Sequence, residues 1–346
     1  MKALRILRPK KLQVSDIAEP VQDGKSVMIQ VETVGISQID TALWKGIKAF
    51  GCGHVIGNYC CGIVTDPGTG TDLSIGDRVV VFPDNSCGNC WYCENGMENL
   101  CHETETKGRP GITIDGACAE IYAVSQEKAQ RFDNSLDPAL GTLVVPFAQG
   151  HHAVVTKAGV RSGERVLICG GGPVGTIAAW WASKCGAQVS ALATNREFCD
   201  FLKEHGLADS VANLRDQDFE KELQSLYSAA FDKVFICGEV GERQFERIIL
   251  PMVRKGGMLI QAGVMERIVC MSFFTFQYKE LSYISSWGIT KADFNAALKE
   301  ILRDPGAFSH FIGQKISIRE VQKVMTELAA GKESPTPIVI DMTCNG

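Results

Sequence analysis

The stretch RVLICGGGPVGTIAAWWASKCG, Arg165 to Gly186, decides the fold. Arg165 to Cys169 is an apolar run of strand length, Gly170-Gly171-Gly172-Pro173-Val174-Gly175 is a glycine turn, and Thr176 to Cys185 reads as a helix that Gly186 stops from the C′ position. Gly170, Gly172 and Gly175 spell G-x-G-x-x-G, a weak pattern by itself. Between a strand and a helix it acquires a mechanism: the glycines allow a tight turn, and backbone N–H groups at the helix N-terminus, around Pro173 and Val174, face a pyrophosphate. A turn that only packs helix on sheet is the competing reading.

Further strands are expected at Gln188 to Ala193, Phe231 to Cys237, Gly257 to Gln261 and Leu281 to Trp287, with helical stretches between the first several. That alternation predicts a doubly wound parallel sheet of the Rossmann type, so the fold class is α/β. A strand ending in a carboxylate after such a turn holds the adenosine ribose hydroxyls of NAD. Here the second strand ends in Ala193, followed by Thr194, Asn195 and Arg196, two small hydrogen-bonding residues and a guanidinium suited to a ribose 2′-phosphate. NADP(H) is therefore expected in preference to NAD(H). The bland alternative leaves Arg196 on a solvated surface at the start of the next helix.

The chain before Asp137-Pro138, a helix N-cap followed by proline, has a different character. Ser26 to Val34 alternates with the period of a strand, Arg78 to Phe82 is a short apolar strand and Gly116 to Val124 resembles one more, so a β-rich domain is expected. From it hangs CGNCWYCENGMENLC, whose thiols Cys87, Cys90, Cys93 and Cys101 have the spacing of a tetrahedral zinc loop. A disulfide framework and an iron–sulfur cluster are the other readings of four such cysteines. After Trp287, helices are expected around Asn295 to Arg303 and after a Ser317/Glu320 capping box, and a last strand at Pro337 to Asp341.

The 346 residues suit two domains, and 45% hydrophobic with 22% charged residues is an ordinary globular balance. A net charge of -5 without a basic run argues against nucleic acid or an anionic membrane as partner, leaving a small molecule. MKALRILRPKK lacks the uninterrupted apolar stretch of a signal peptide, and no apolar run reaches membrane-spanning length. Fourteen cysteines then imply a reducing compartment, so a cytoplasmic protein is expected.

With both motifs in view, the chain resembles the medium-chain dehydrogenase/reductase superfamily, in its zinc-type alcohol and polyol dehydrogenase branch. Gly53-His54 with Gly57, Gly76-Asp77-Arg78-Val79, the cysteine loop, Asp115-Gly116 with Ala119-Glu120, and the glycine turn fall in the family's order over essentially the whole chain. Lys279-Glu280-Leu281 ahead of Ser286-Trp287 looks most like the polyol enzymes. The resemblance implies a GroES-like catalytic domain from residues 1–148 and 289–346, a Rossmann domain from residues 149–288 and a substrate cleft at their junction. It also makes the loop at 87–101 the seat of one structural Zn²⁺ per chain, and implies a homodimer or homotetramer with the strand ending at Trp287 as its edge.

The same resemblance exposes departures. Ser37 stands where the family's catalytic zinc has a Cys ligand, Ile39 where a Ser or Thr relays the proton, and Ala42 where many members keep a relay His. His54 is matched to the His ligand, Val55 to the Glu after it, and Val145 or Gln149 to the third ligand. One imidazole with a serine and an amide leaves no anionic ligand for Zn²⁺, so no catalytic zinc is expected. Cys52, Cys60 and Cys61 are candidates for a displaced site, with packing in apolar surroundings as the competing reading. Asp40 aligns with the aspartate that orients the histidine, making His54 a general acid with Ser37 and Gln149 as donors to the substrate oxygen. A structural relic is the alternative for this pair. His151-His152 are a second candidate, of which at most one faces the substrate, and His102 is a neighbour of the zinc loop.

Three functions follow: an NADP(H)-dependent oxidoreductase acting on a secondary alcohol or polyol and its carbonyl without catalytic zinc, a zinc-independent reductase of a conjugated C=C bond, or an inactive cofactor-binding pseudoenzyme.

Overall fold

The computed structural model describes residues 1–46, 53–216, 230–266 and 268–344, so Cys52 lies outside the described residues. The chain divides into two compact units, one of Met1–Ala148, Ile289–Lys332 and Pro337–Gly346, the other of Gln149–Gly288 and Glu333–Thr336.

The first unit opens with a hairpin of β1 (Lys2–Arg8) and β2 (Lys11–Asp16), the segment whose scattered cations alternate with buried Leu4 and Ile6. β3 (Ser26–Ile36) follows, then helix α1 (Gln38–Lys45), β4 (Cys60–Asp66), β5 (Arg78–Val81), β6 (Ile121–Ser125) and β7 (Ala129–Phe132). The period-two pattern of β3 works as expected, burying Val27, Ile29 and Val31 in the core. Asp137 caps the short helix Pro138–Thr142 by accepting from Ala139 N–H at 3.0 Å. Helix α2 (Val144–His151) then carries the chain into the second unit.

The second unit contains β8 (Arg165–Cys169), helix α3 (Pro173–Lys184), β9 (Gln188–Ala193), helix α4 (Arg196–Glu204), β10 (Ser210–Asn213), β11 (Phe231–Ile236), β12 (Val253–Gln261), helix α5 (Phe273–Lys279) and β13 (Ser282–Ser285). The sheet order is β10-β9-β8-β11-β12-β13, every pairing parallel. This is the Rossmann order, and its reversal between β8 and β11 opens the crevice in which such sheets bind nucleotides. The core strands read as near-continuous apolar runs because both faces are covered; Val166, Leu167 and Ile168 are all buried.

The chain returns to the first unit with helix α6 (Lys291–Arg303), β14 (Lys315–Ser317), helix α7 (Val321–Ala329) and β15 (Ile338–Asp341). Its sheet runs β14-β15-β3-β4-β5-β7, with β6 paired to β3. Among the described residues, no helix is long and apolar enough to cross a membrane.

Candidate active site

The cysteine loop is the best-formed centre. Two short helical turns, Trp91–Glu94 and Glu98–Leu100, fold it back so that the sulfurs of Cys87, Cys90, Cys93 and Cys101 all lie within 4.8 Å of one another. The Sγ···Sγ distances are 3.5 Å for Cys87–Cys101, 3.6 Å for Cys90–Cys93, 3.8 Å for Cys90–Cys101 and 3.9 Å for Cys87–Cys93. Four thiolates about 2.3 Å from one centre are about 3.8 Å apart, so the cradle has the size of a zinc tetrahedron. Burial opposes ionisation of Cys101, yet hydrogen bonds from the backbone of Cys87 and Glu103 bring its thiol down to about 6, ready for a cation. Among the described residues, this is the group of three or more His, Cys, Asp or Glu side chains with metal-binding spacing. His102 packs edge-on against Tyr92 with ring centroids 4.8 Å apart.

The glycine turn also takes its expected form. Gly170 has φ +134, a conformation an L side chain rarely adopts, and a Cβ there would lie 3.1 Å from the backbone of Cys237 and Gly238 at the end of β11. A Cβ on Gly175 would lie 2.6 Å from Gly170 O. Gly172 caps α3 and Pro173 is its first residue. The turn thus leaves bare backbone at the crevice, which fits a dinucleotide pyrophosphate.

Beyond β9, Thr194 and Arg196 are exposed, while Asn195 caps α4 and its amide donates to Gly171 O at 3.2 Å and Glu333 O at 2.7 Å. Arg196 pairs with Asp216. Glu333 and Asp216 at this end of the turn were invisible to sequence reasoning, since neither belongs to a local motif. A cavity of about 460 Å³ opens at the ends of β11, β12 and β13, with Gln261, Gly263, Tyr283, Ser286 and Trp287 in its wall.

The third group lies in the first unit. Ser37 caps α1 and makes a reciprocal capping box with Asp40: Asp40 N–H donates to Ser37 Oγ at 3.3 Å, and Ser37 N–H and Oγ–H donate to Asp40 Oδ2 at 2.8 and 2.5 Å. Gly57 N–H donates to Asp40 Oδ1 at 3.4 Å. Asp40 is buried, and burial pushes its carboxyl above the usual range against the hydrogen bonds from Ser37 and Gly57. Sequence reasoning paired Asp40 with His54. The structure gives the Asp40 carboxylate to Ser37 and Gly57, and sets the half-exposed His54 Nδ1 4.0 Å from Asp115 Oδ1, which also accepts from Val55 N–H at 2.8 Å. That second partner is sixty-one positions along the chain, so no local pattern announces it.

Gln149 is half-buried on α2. His151 stands edge-on against Trp181, ring centroids 4.8 Å apart, and His152 is buried. Cys60 and Cys61 are core residues of β4, and burial pushes the Cys60 thiol up to about 12. Such thiols stay protonated at neutral pH and behave as small apolar groups. Val145 is buried and apolar, and Ser37 offers only a neutral hydroxyl, hydrogen-bonded to Asp40. That donor set does not fit a catalytic zinc.

Residues 23–133 match the alcohol dehydrogenase GroES-like domain, and residues 173–303 match the zinc-binding dehydrogenase domain. L-galactonate-5-dehydrogenase of Escherichia coli K12 is 29% identical over 299 residues, 85% of each chain. Sorbitol dehydrogenase of Halalkalibacterium halodurans is 26% identical, over 92% of this chain and 93% of its own. Among solved structures, a protein of Sinorhizobium meliloti 1021 assigned as a zinc-binding dehydrogenase and bound to NADP is 25% identical, with a TM-score of 0.84 over 99% of both chains. With its GroES-like and Rossmann units, the chain belongs to the medium-chain dehydrogenase/reductase superfamily, in the zinc-type alcohol and polyol dehydrogenase branch, and is an alcohol dehydrogenase-like oxidoreductase.

Proposed function

We propose that the chain transfers hydride between the nicotinamide of NADP(H) and a secondary alcohol or polyol, or the matching carbonyl, without a catalytic zinc and with one structural Zn²⁺ in the cysteine loop. The observation that carries this reading is the Ser37–Asp40 pair: a hydroxyl 2.5 Å from a buried carboxyl whose affinity for a proton is raised. When bound, the cofactor supplies or accepts the hydride. In reduction, negative charge develops on the substrate oxygen; with Asp40 protonated, its carboxyl becomes the donor to Ser37 Oγ, and the Ser37 hydrogen turns to the substrate oxygen and is given up to it. Asp40, which burial favours in its protonated form, returns a proton to Ser37 Oγ. Oxidation runs the same transfers backwards. His54 beside Asp115, and Gln149, are further donors to the oxygen in this scheme. Relatives named for a sugar acid and for sorbitol support a polyhydroxylated substrate. Ala193 at the end of β9 and the NADP bound to the Sinorhizobium protein support NADP(H).

The deciding experiment is NMR analysis of products after incubation with NADPH and a panel of ketones, sugars and enones. Alcohol products are expected, with kcat reduced about 10²–10³-fold by Ser37→Ala and to a lesser degree by His54→Ala. Saturated carbonyl products would instead establish reduction of a conjugated C=C bond, and NADPH binding without turnover would establish a pseudoenzyme. Equal affinity for NADH and NADPH would overturn the cofactor assignment.

We also propose that this cytosolic enzyme is a homodimer or homotetramer assembled through β13. That strand ends its sheet, offering an unpaired row of backbone groups, and Phe273, Phe274 and Tyr278 nearby are exposed. Sedimentation equilibrium should show an oligomer that Phe273→Ser with Phe274→Ser weakens. A monomeric wild-type chain would refute this assembly.

A further inference from the structure

We infer that Asn58 is a substrate-binding residue whose side-chain amide oxygen accepts a hydrogen bond from a second hydroxyl of a polyol. The inference rests on the dehydrogenase reading above and narrows its substrate class. Asn58 Oδ1 is buried and has no hydrogen-bond partner among the described residues. A buried acceptor left without a donor costs about 1–3 kcal/mol. Such groups are exceptions in folded chains, and a donor arriving with a ligand accounts for one that persists.

The backbone around Asn58 is fixed on both sides. Before it, Gly57 is held by the hydrogen bond from its N–H to Asp40 Oδ1. Two other chain segments press against the same place: a Cβ on Gly116 would lie 2.2 Å from Gly57 O, and a Cβ on Gly111 would lie 3.0 Å from Asn58 N. After it, Tyr59 O–H donates to Ile36 O at 3.3 Å, and Gly35 N–H donates to Tyr59 O at 3.3 Å. A Cβ on Gly35 would collide with the Tyr59 ring. Asn58 is thereby pinned between two residues that are both bonded to the Gly35–Asp40 segment, the one that presents Ser37. Relaxation of the loop cannot easily supply the missing donor, because these contacts must break first.

The chemistry of the acceptor selects the ligand. An amide oxygen is neutral, so it takes a neutral O–H without demanding a counter-charge, whereas an ammonium would call for a carboxylate. If Ser37 addresses the reacting oxygen, Asn58 addresses a different one. A substrate with a single hydroxyl satisfies only the first, and a polyol satisfies both. Selectivity of this kind is strong because a ligand lacking the second hydroxyl leaves the buried acceptor unpaired.

The test measures equilibrium binding of xylitol and of 2-butanol to the NADP⁺-loaded full chain, by intrinsic tryptophan fluorescence, which needs no turnover. Asn58→Leu keeps the branching and approximate size of the side chain, and Asn58→Ala serves as a second variant. Both should weaken xylitol about tenfold and leave 2-butanol within about twofold. The melting temperature of the ligand-free Leu variant should not fall, since the substitution removes an unsatisfied polar group. Unchanged xylitol affinity, equal losses for both alcohols, or a lower melting temperature with intact xylitol binding would overturn the assignment of Asn58 alone. A wild-type chain that binds NADP⁺ but neither alcohol would overturn the dehydrogenase reading itself, and this inference with it.

Discussion

Cys101→Ser, or treatment of the wild-type chain with a strong chelator, is expected to unfold the unit containing the cysteine loop. The four sulfurs have the separations of a zinc tetrahedron, and Cys87 N–H also donates to Cys101 Sγ at 3.3 Å, so this residue joins the two ends of the loop. Structural zinc in small thiolate sites contributes about 10–16 kcal/mol. The stability of a whole domain is about 5–15 kcal/mol. Loss of the metal therefore removes as much free energy as the unit has to spare. Metal analysis should return one zinc per chain in the wild type and far less in Cys101→Ser, with proteolytic cleavage of the loop rising in parallel. Because the ligands must be thiolates, acid should release the metal, with retention falling as pH falls. Two zinc ions per chain would refute the dismantled catalytic site, and a chain fully folded without metal would refute the structural role of the loop.

Gly175→Val should abolish NADPH binding, with affinity lowered more than about 100-fold because the turn can no longer close around a pyrophosphate. The Cβ of the new side chain would lie 2.6 Å from Gly170 O and 3.2 Å from the Phe198 ring, so α3 must move away from the end of β8. Overpacking of this kind costs about 1–3 kcal/mol, which should appear as a lower melting temperature. Gly306→Ala is the control: the residue is exposed, the nearest atom to its Cβ is Asp304 Oδ1 at 3.7 Å, and the substitution should not lower stability. NADPH fluorescence titration and thermal melts read both quantities. Normal cofactor affinity in Gly175→Val would show that this turn does not hold the cofactor.

The readable parts of the fold are those in which neighbouring residues settle the matter. Arg165–Cys169 and Gln188–Ala193 were legible as strands to the residue, because apolar runs end abruptly at glycine or polar turns. Helix caps were less transparent. Ser317 and Glu320 do bond, with Ser317 N–H and Oγ each 2.8 Å from Glu320 Oε2, but Ser317 remains extended in β14 against Asp341, and the helix begins only at Val321. Conversely, Ser37–Asp40 and Thr290–Asp293 are true capping boxes that sequence reasoning did not identify as such. For Ser37, the resemblance to a ligand position obscured the local role.

The candidate site was legible only in its one-dimensional parts. The cysteine spacing and the glycine turn lie within short loops, so sequence distance limits spatial distance. Asp115 beside His54 and Glu333 beside Asn195 arrive from distant segments. Asn58 is a further case: after a glycine, an asparagine reads as an ordinary turn residue. Its unpaired oxygen becomes informative only when its burial is known.

The pairing of β15 with β3, which sets Ile338 opposite Ile36, has a consequence for synthesis. The sheet beside Ser37 lacks its neighbour β15 until residue 338 has left the ribosome, whereas every strand of the parallel sheet has been made by residue 285. Closing so long a loop is entropically costly and slow. The Rossmann unit therefore has all its strands first, while the Thr33–Ile36 end of β3 waits with its edge open to mispairing and to capture by chaperones.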